Sequence, residues 1–333
     1  MGQDASIFKL EGPHPESETQ ILCSPPYGSY YPGQFVSRFD DCPNVATLYD
    51  LLEHTRAISP HTRMFGMREY INGKWQSTYK FYDRVYLTSQ RDIVGSYLRS
   101  VAREDEKNIG IFSPNRIEWV IAQHCCYAYG FVPVPIYETH GWNAIKFIIN
   151  HSELHRVFIV TTKISEFLSR IDQFPNVEEL IVISTEESPF NPSLYTNTAV
   201  KLTPFEECQK VRMVYPHTPP TPDDPAFIMY TSGTTNVPKG CILTHASFIA
   251  SAAAFTGSIY PFSQNDSYLS ILPLAHVYEQ MLYIIGLYCC GTIYFNSGSL
   301  SRMVEEVGLI KPTAMIGVPR VFERIVDGVQ TQL

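Results

Sequence analysis

Between residues 94 and 183, short apolar runs of strand length alternate with helical patterns, and this rhythm restricts the available folds more than any other feature of the chain. Val94, Leu98 and Val101 fall at helical spacing, residues 108–112 read as a strand, 116–129 as an apolar helix stopped by Gly130, and 131–136 as a second strand. A helix over 142–150, a strand over 156–161, a helix over 164–171 and a strand over 179–183 continue the pattern. Strands alternating with helices predict an α/β fold of layered αβ subdomains with largely parallel sheets. A chain of 333 residues, 44% apolar and 17% charged, is long enough for a large buried core. Residues 1–45 are rich in Pro, Gly, Ser and Tyr without a period, and read as an irregular leader ahead of a domain spanning 46–333.

Further along, residues 214–225 form a proline-dense connector, followed by an apolar strand-like stretch and the run 230–240, YTSGTTNVPKG. That run holds Gly233, the hydroxyls of Thr231, Ser232, Thr234 and Thr235, and one cation, Lys239. Backbone N–H groups, hydroxyls and an ammonium are the donor set of an oriented polyphosphate site. It is not a Walker loop, because Lys239 has neither a glycine before it nor a Ser or Thr after it. A strand is expected again over 241–243, so the loop sits between two strands, whereas a Walker loop leads into a helix. Beyond it, 247–255 reads as an Ala-rich helix, 268–272 as a strand, and 281–295 as a helix followed by a core strand.

The run resembles the signature loop of the adenylate-forming enzymes, the superfamily of acyl-CoA synthetases, luciferases and peptide-synthetase adenylation domains. Asn236 departs from it, standing where the family has glycine; Asn is the non-glycine residue that most readily takes positive φ. Four further stretches, 113–119 (SPNRIEW), 134–139 (VPIYET), 272–279 (LPLAHVYE) and 311–324 (KPTAMIGVPRVFER), are similar to long-chain fatty-acid–CoA ligases, so that the likeness covers about residues 60–333. Thr139-His140-Gly141 differs from the Thr-Leu-Gly usual in that branch.

The resemblance implies ATP-dependent activation of a long-chain fatty acid, first to an acyl-adenylate and then to acyl-CoA, with ATP, Mg²⁺ and CoA taking part. It assigns Thr231, Ser232, Gly233, Thr234, Thr235 and Lys239 to ATP and its departing pyrophosphate, the Thr231 hydroxyl to the neighbourhood of Mg²⁺, and His276 to the acyl and adenylate pocket. Glu279 reads equally well as a carboxylate at a helix start. Asn115, Arg116 and Glu118 read as capping and surface-pairing residues, and Arg320 and Arg324 as structural ion-pair partners. The family's later motifs, with its catalytic lysine and its small C-terminal lid domain, find no match, so the chain looks like a truncated large N-terminal domain. A catalytically incomplete nucleotide- or acyl-binding fragment, and a ligase for another carboxylic acid, remain as alternatives.

A net charge of −8 without a dense Lys/Arg face argues against a nucleic-acid partner. Eight cysteines without a C-x-x-C pair favour neither zinc nor a disulfide framework and suit a cytoplasmic protein; Cys125, Cys126, Cys289 and Cys290, which lie in apolar helical patterns, read as buried structural residues. No apolar run reaches the length of a membrane span. Met1 to Ser6 fits the myristoylation pattern on Gly2, which would bring the protein to the cytosolic face of a membrane such as the endoplasmic reticulum. A single chain of this kind holds only marginally, and Cys23 is the candidate for a second anchor.

Overall fold

The computed structural model describes residues 8–9, 22–23, 36–196, 198–231, 237–258, 262–298, 300–319, 321–323 and 326. In chain order the elements are β1 (Phe8–Lys9), β2 (Leu22–Cys23), α1 (Leu48–Ile58), β3 (Phe65–Ile71), β4 (Lys74–Tyr82), α2 (Arg84–Val101), β5 (Asn108–Phe112) and α3 (Ile117–Tyr129). They continue with β6 (Val132–Pro135), α4 (Trp142–His151), β7 (Arg156–Val160), α5 (Thr161–Leu168), β8 (Glu179–Ile183), β9 (Lys201–Pro204) and α6 (Phe205–Cys208). Last come β10 (Pro225–Thr231), β11 (Lys239–Thr244), α7 (His245–Ser258), β12 (Ser267–Ser270), α8 (Val277–Tyr288), β13 (Thr292–Phe295) and α9 (Leu300–Ile310).

Five strands form a wholly parallel sheet in the order β6-β5-β7-β8-β9. Its central strands β5, β7 and β8 are buried on both faces, which is why 108–112 and 179–183 read as continuous apolar runs. Along β7 and β8 the side chains alternate between two cores: Phe158 and Ile181 face one with α1, α2, α3 and α8, while Val157, Ile159 and Leu180 face the other with α4 and α5. The chain runs from β5 to β6 on one side and then returns past β5 to β7. Right-handed crossovers therefore put α3 and α4 on opposite faces.

A four-stranded sheet, β12-β13-β3-β4, is parallel except for the antiparallel β3–β4 pair. β10 and β11 form an antiparallel hairpin, with β10 alongside β6. The helix ends obey local chemistry. Thr47 and Asp50 form a capping box on α1, Asp83 accepts from Tyr86 N at the start of α2, and Gly130 ends α3 at φ 74°.

Several element boundaries differ from the sequence expectation by a few residues, and two of them have a visible cause. Thr161 opens α5 instead of ending β7, its hydroxyl donating to Ile183 O at 2.9 Å. β12 stops at Ser270, because the backbone of 271–276 is drawn off by side chains described below. Residues 36–45 are irregular, yet Phe39, Cys42 and Val45 enter the core, and Phe39 stacks on Tyr288 at 3.9 Å. Cys125 and Cys126 are buried, and burial pushes both thiols up, as expected of structural cysteines. Among the described residues no helix is long and apolar enough to cross a membrane.

Candidate functional site

The hairpin register places Thr231 directly opposite Lys239 and Tyr230 opposite Gly240, so the two ends of the signature run meet across one pair of strands. Both Thr231 and Lys239 are exposed, leaving their hydroxyl and ammonium open to a solute. Ser232, Gly233, Thr234, Thr235 and Asn236 lie outside the described residues.

The hairpin is anchored from beneath. Tyr230 is buried, its hydroxyl 2.7 Å from Nδ1 of His151 on α4, with Phe147 edge-on to the ring. Gly240 lies close beneath that ring; a Cβ there would come within 3.2 Å of both Tyr230 Cζ and Ile228 Cγ2. The glycine thus allows the two strands and the tyrosine to close together.

Between the carboxyl ends of β5, β7 and β8 and the four-stranded sheet lies a cleft of about 290 Å³. Reversal of the strand order at β5 makes this the switch-point crevice, the usual ligand location in an open α/β sheet. Asn115 and Arg116 enter it from the end of β5, Glu138 from beyond β6, Glu186 from beyond β8, and Arg68 and Arg302 from the facing side. The guanidiniums are paired: Arg68 with Glu305 at 2.5 Å, Arg116 with Glu118 at 2.6 Å, and Arg302 with Glu187 at 3.4 Å. Burial raises the Glu138 carboxyl, with Lys163 opposing. The wall is nearly charge-balanced, with Arg68, Arg116 and Arg302 set against Glu138, Glu186 and Glu187.

His276 is the N-cap of α8, with Nδ1 accepting from Tyr278 N at 3.1 Å. Its exposed ring stands edge-on to Tyr137, centroids 6.3 Å apart, on the segment that leads to Glu138. Glu279 is not a surface carboxylate of the helix start. It is 1% exposed and accepts from Ser270 Oγ at 2.5 Å, and burial pushes it up to about 8 against those hydrogen bonds. Arg116 is also buried, and Asn115 caps no helix but reaches across to Ser270, Leu272 and Leu274. No sequence signal marks these inward turns except that Glu279 and Gln280 interrupt an otherwise apolar helix. Arg320 and Arg324 lie outside the described residues, as does Gly2.

A family described as AMP-binding enzyme matches residues 77–332. The peroxisomal long chain acyl-CoA synthetase 7 of Arabidopsis thaliana is 34% identical over 300 residues, 90% of this chain and 42% of that protein. Long-chain-fatty-acid–CoA ligase 5 of Rattus norvegicus is 31% identical over 301 residues, 86% of this chain and 42% of that protein. The chain thus spans less than half the length of these two relatives.

Among solved structures, a long-chain-fatty-acid–CoA ligase from Archaeoglobus fulgidus superimposes with a TM-score of 0.70 at 18% identity, over 91% of this chain and 55% of that one. The A domain of the carboxylic acid reductase of Segniliparus rugosus, in complex with AMP and a co-purified carboxylic acid, gives 0.72 at 18% identity, over 90% and 53%. These likenesses establish the fold as that of the N-terminal domains of adenylate-forming enzymes. The family match extends over most of the sequence, and the chain belongs to the AMP-binding enzymes.

Proposed function

We propose that the protein to which this chain belongs activates a long-chain fatty acid with ATP, forming an acyl-adenylate and then the CoA thioester. The observation that carries the reading is the hairpin that sets Thr231 opposite Lys239 at the two ends of a glycine- and hydroxyl-rich turn. The names of the relatives supply the acid class. Residues 46–333 are read as part of the large N-terminal domain.

A carboxylate is a poor electrophile because its leaving group is oxide-like. Attack of the acid oxygen on the α-phosphorus of ATP forms an acyl–phosphate bond and expels pyrophosphate, giving the carbonyl a good leaving group, AMP. CoA sulfur then attacks that carbonyl, the acyl–AMP bond breaks, and the thiol proton goes to solvent or base. The first step needs the β- and γ-phosphates held and their accumulating charge met.

In this reading Thr231, Ser232, Gly233, Thr234 and Thr235 hold the departing pyrophosphate, Lys239 neutralises it, and the His276 ring shapes the acyl and adenylate pocket. Among the described residues no three His, Cys, Asp or Glu side chains gather as a metal site. A hydroxyl such as that of Thr231 suits a hard cation that arrives on the nucleotide's own oxygens. When bound, Mg²⁺ supplies further charge neutralisation on the phosphates. Peripheral membrane attachment through Gly2 belongs to the same proposal.

Exchange of labelled pyrophosphate into ATP tests the reading when run on this chain and on any longer product of the same reading frame. Exchange dependent on palmitate, and weak with acetate or benzoate, is the expected result for the complete enzyme. Exchange dependent only on the short or aromatic acid would replace the long-chain assignment. Nucleotide binding without exchange in either protein would leave a binding module.

A further inference from the structure

The segment between β12 and α8, residues 271–276, has no regular structure, yet side chains meet four of its backbone polar groups, all on Leu272 and Leu274. Asn115 takes two of them: Nδ2 donates to Leu272 O at 2.6 Å and Oδ1 accepts from Leu274 N at 2.7 Å. Gln280 Nε2 donates to Leu274 O at 2.7 Å, and the Leu272 N–H donates to Glu279. Ser270 Oγ joins the two sides, accepting from Asn115 Nδ2 at 2.9 Å and donating to Glu279 Oε1 at 2.5 Å. Ser270, Glu279 and Gln280 are wholly buried or nearly so.

A buried backbone group left unpaired costs about 1–3 kcal/mol, so a segment satisfied by three specific side chains has one preferred arrangement while they are in place. Asn115 comes from the end of β5 and Glu279 from α8, so the clamp also joins the five-stranded sheet to the four-stranded one. The segment it holds ends on His276.

We propose that Asn115 and Glu279 are positioning residues, which together clamp residues 271–276 and so fix where the His276 ring stands beside the cleft. The role given to His276 rests on the function proposed above; the clamp does not. Burial pushes the Glu279 carboxyl up to about 8, so near neutrality it carries its proton and is seated as a neutral group. The titratable group that faces it is Tyr268 on β12, held neutral by burial. Arg116 is turned away to Glu118 and Glu186, and His276 is exposed. Ionising Glu279 therefore places an uncompensated charge in the clamp, and the segment should loosen above pH 8.

Amide hydrogen exchange on the ligand-free chain at pH 6.5 and pH 9, corrected for the chemical pH dependence, reads this directly. Peptides covering 271–280 are expected to lose protection about tenfold at pH 9, while those covering β7 and β8 do not change. Glu279→Gln, which keeps an acceptor and a donor without the charge, should stay protected at both pH values, and Asn115→Ala should be loose at both. Equal protection of the unchanged protein at the two pH values, or the same loss in Glu279→Gln, overturns the clamp. MgATP affinity measured on the same samples separates the two ideas. Binding that is absent throughout removes the functional reading, whatever the exchange shows; normal binding with pH-independent exchange removes the clamp alone.

Discussion

Glu279→Gln is expected to abolish a fall in stability, up to about 5 kcal/mol, that the unchanged protein shows as pH rises from 4.5 to about 8. The sign follows from proton counting. Below pH 4.5 both folded and unfolded chains hold the proton, and the group adds no slope. Between 4.5 and about 8 only the folded protein holds it, so the folded state binds more protons and stability declines with pH. Above that window neither state holds the proton, and the contribution is fully lost. Glutamine has no proton to lose. Urea midpoints at pH 5, 7 and 9 should therefore diverge between the two proteins, with the variant the more stable at pH 9. Parallel curves would mean that the carboxyl is solvated and the buried clamp is wrong.

Arg156→Met should cost about 3–5 kcal/mol, because it strands the buried Glu106 carboxylate and removes one partner of Glu179. At the amino ends of the parallel strands, Arg156 pairs with Glu106 and, at 3.1 Å, with Glu179. Burial raises the Glu106 carboxyl, and Arg156 is the main influence opposing it. Burial also works to raise Glu179, but hydrogen bonds from Thr203, Tyr97 and Lys201 outweigh it and hold the group low. This ionic belt lies at the end of the sheet opposite the cleft. The loss should therefore appear in the denaturation midpoint and not in the nucleotide affinity of the remaining folded protein. A change below about 1 kcal/mol would place these ions in the class of screened surface pairs.

The parallel sheet was legible because strands buried on both faces are written as unbroken apolar runs, and 108–112 and 179–183 match β5 and β8 to the residue. The strand-loop-strand setting of the signature run was legible for a similar reason, since β10 is apolar and Lys239–Thr244 pairs with it throughout. Residues 46–93 carried no assignment, although they fold into α1, the β3–β4 hairpin and the start of α2. The hairpin lacks clean alternation, because Arg68 faces inward to Glu305 and Glu306 while β4 is largely solvated. Its turn did leave a mark. Asn72-Gly73, at φ 51° and 80°, is the dipeptide that a tight hairpin demands.

The candidate site was half legible. Residue type and order point to Thr231 and Lys239, and the register joins them. Asn115 and Glu279 were not readable in the same way, because their roles depend on which way two helix starts turn. Asn115 and Ser270 are 155 residues apart in sequence, and only the packing of two sheets brings them to 2.9 Å.

The central claim is that the hairpin holds the phosphates of ATP, and binding of MgATP and of AMP to this chain and to Lys239→Ala tests it most directly. On that claim Lys239 would offer a charge to the β- and γ-phosphates, which AMP lacks. Its removal should weaken MgATP by about 10- to 100-fold, the worth of one charge-assisted contact, and leave AMP nearly unchanged. Equal affinity of the two proteins for MgATP would contradict the account.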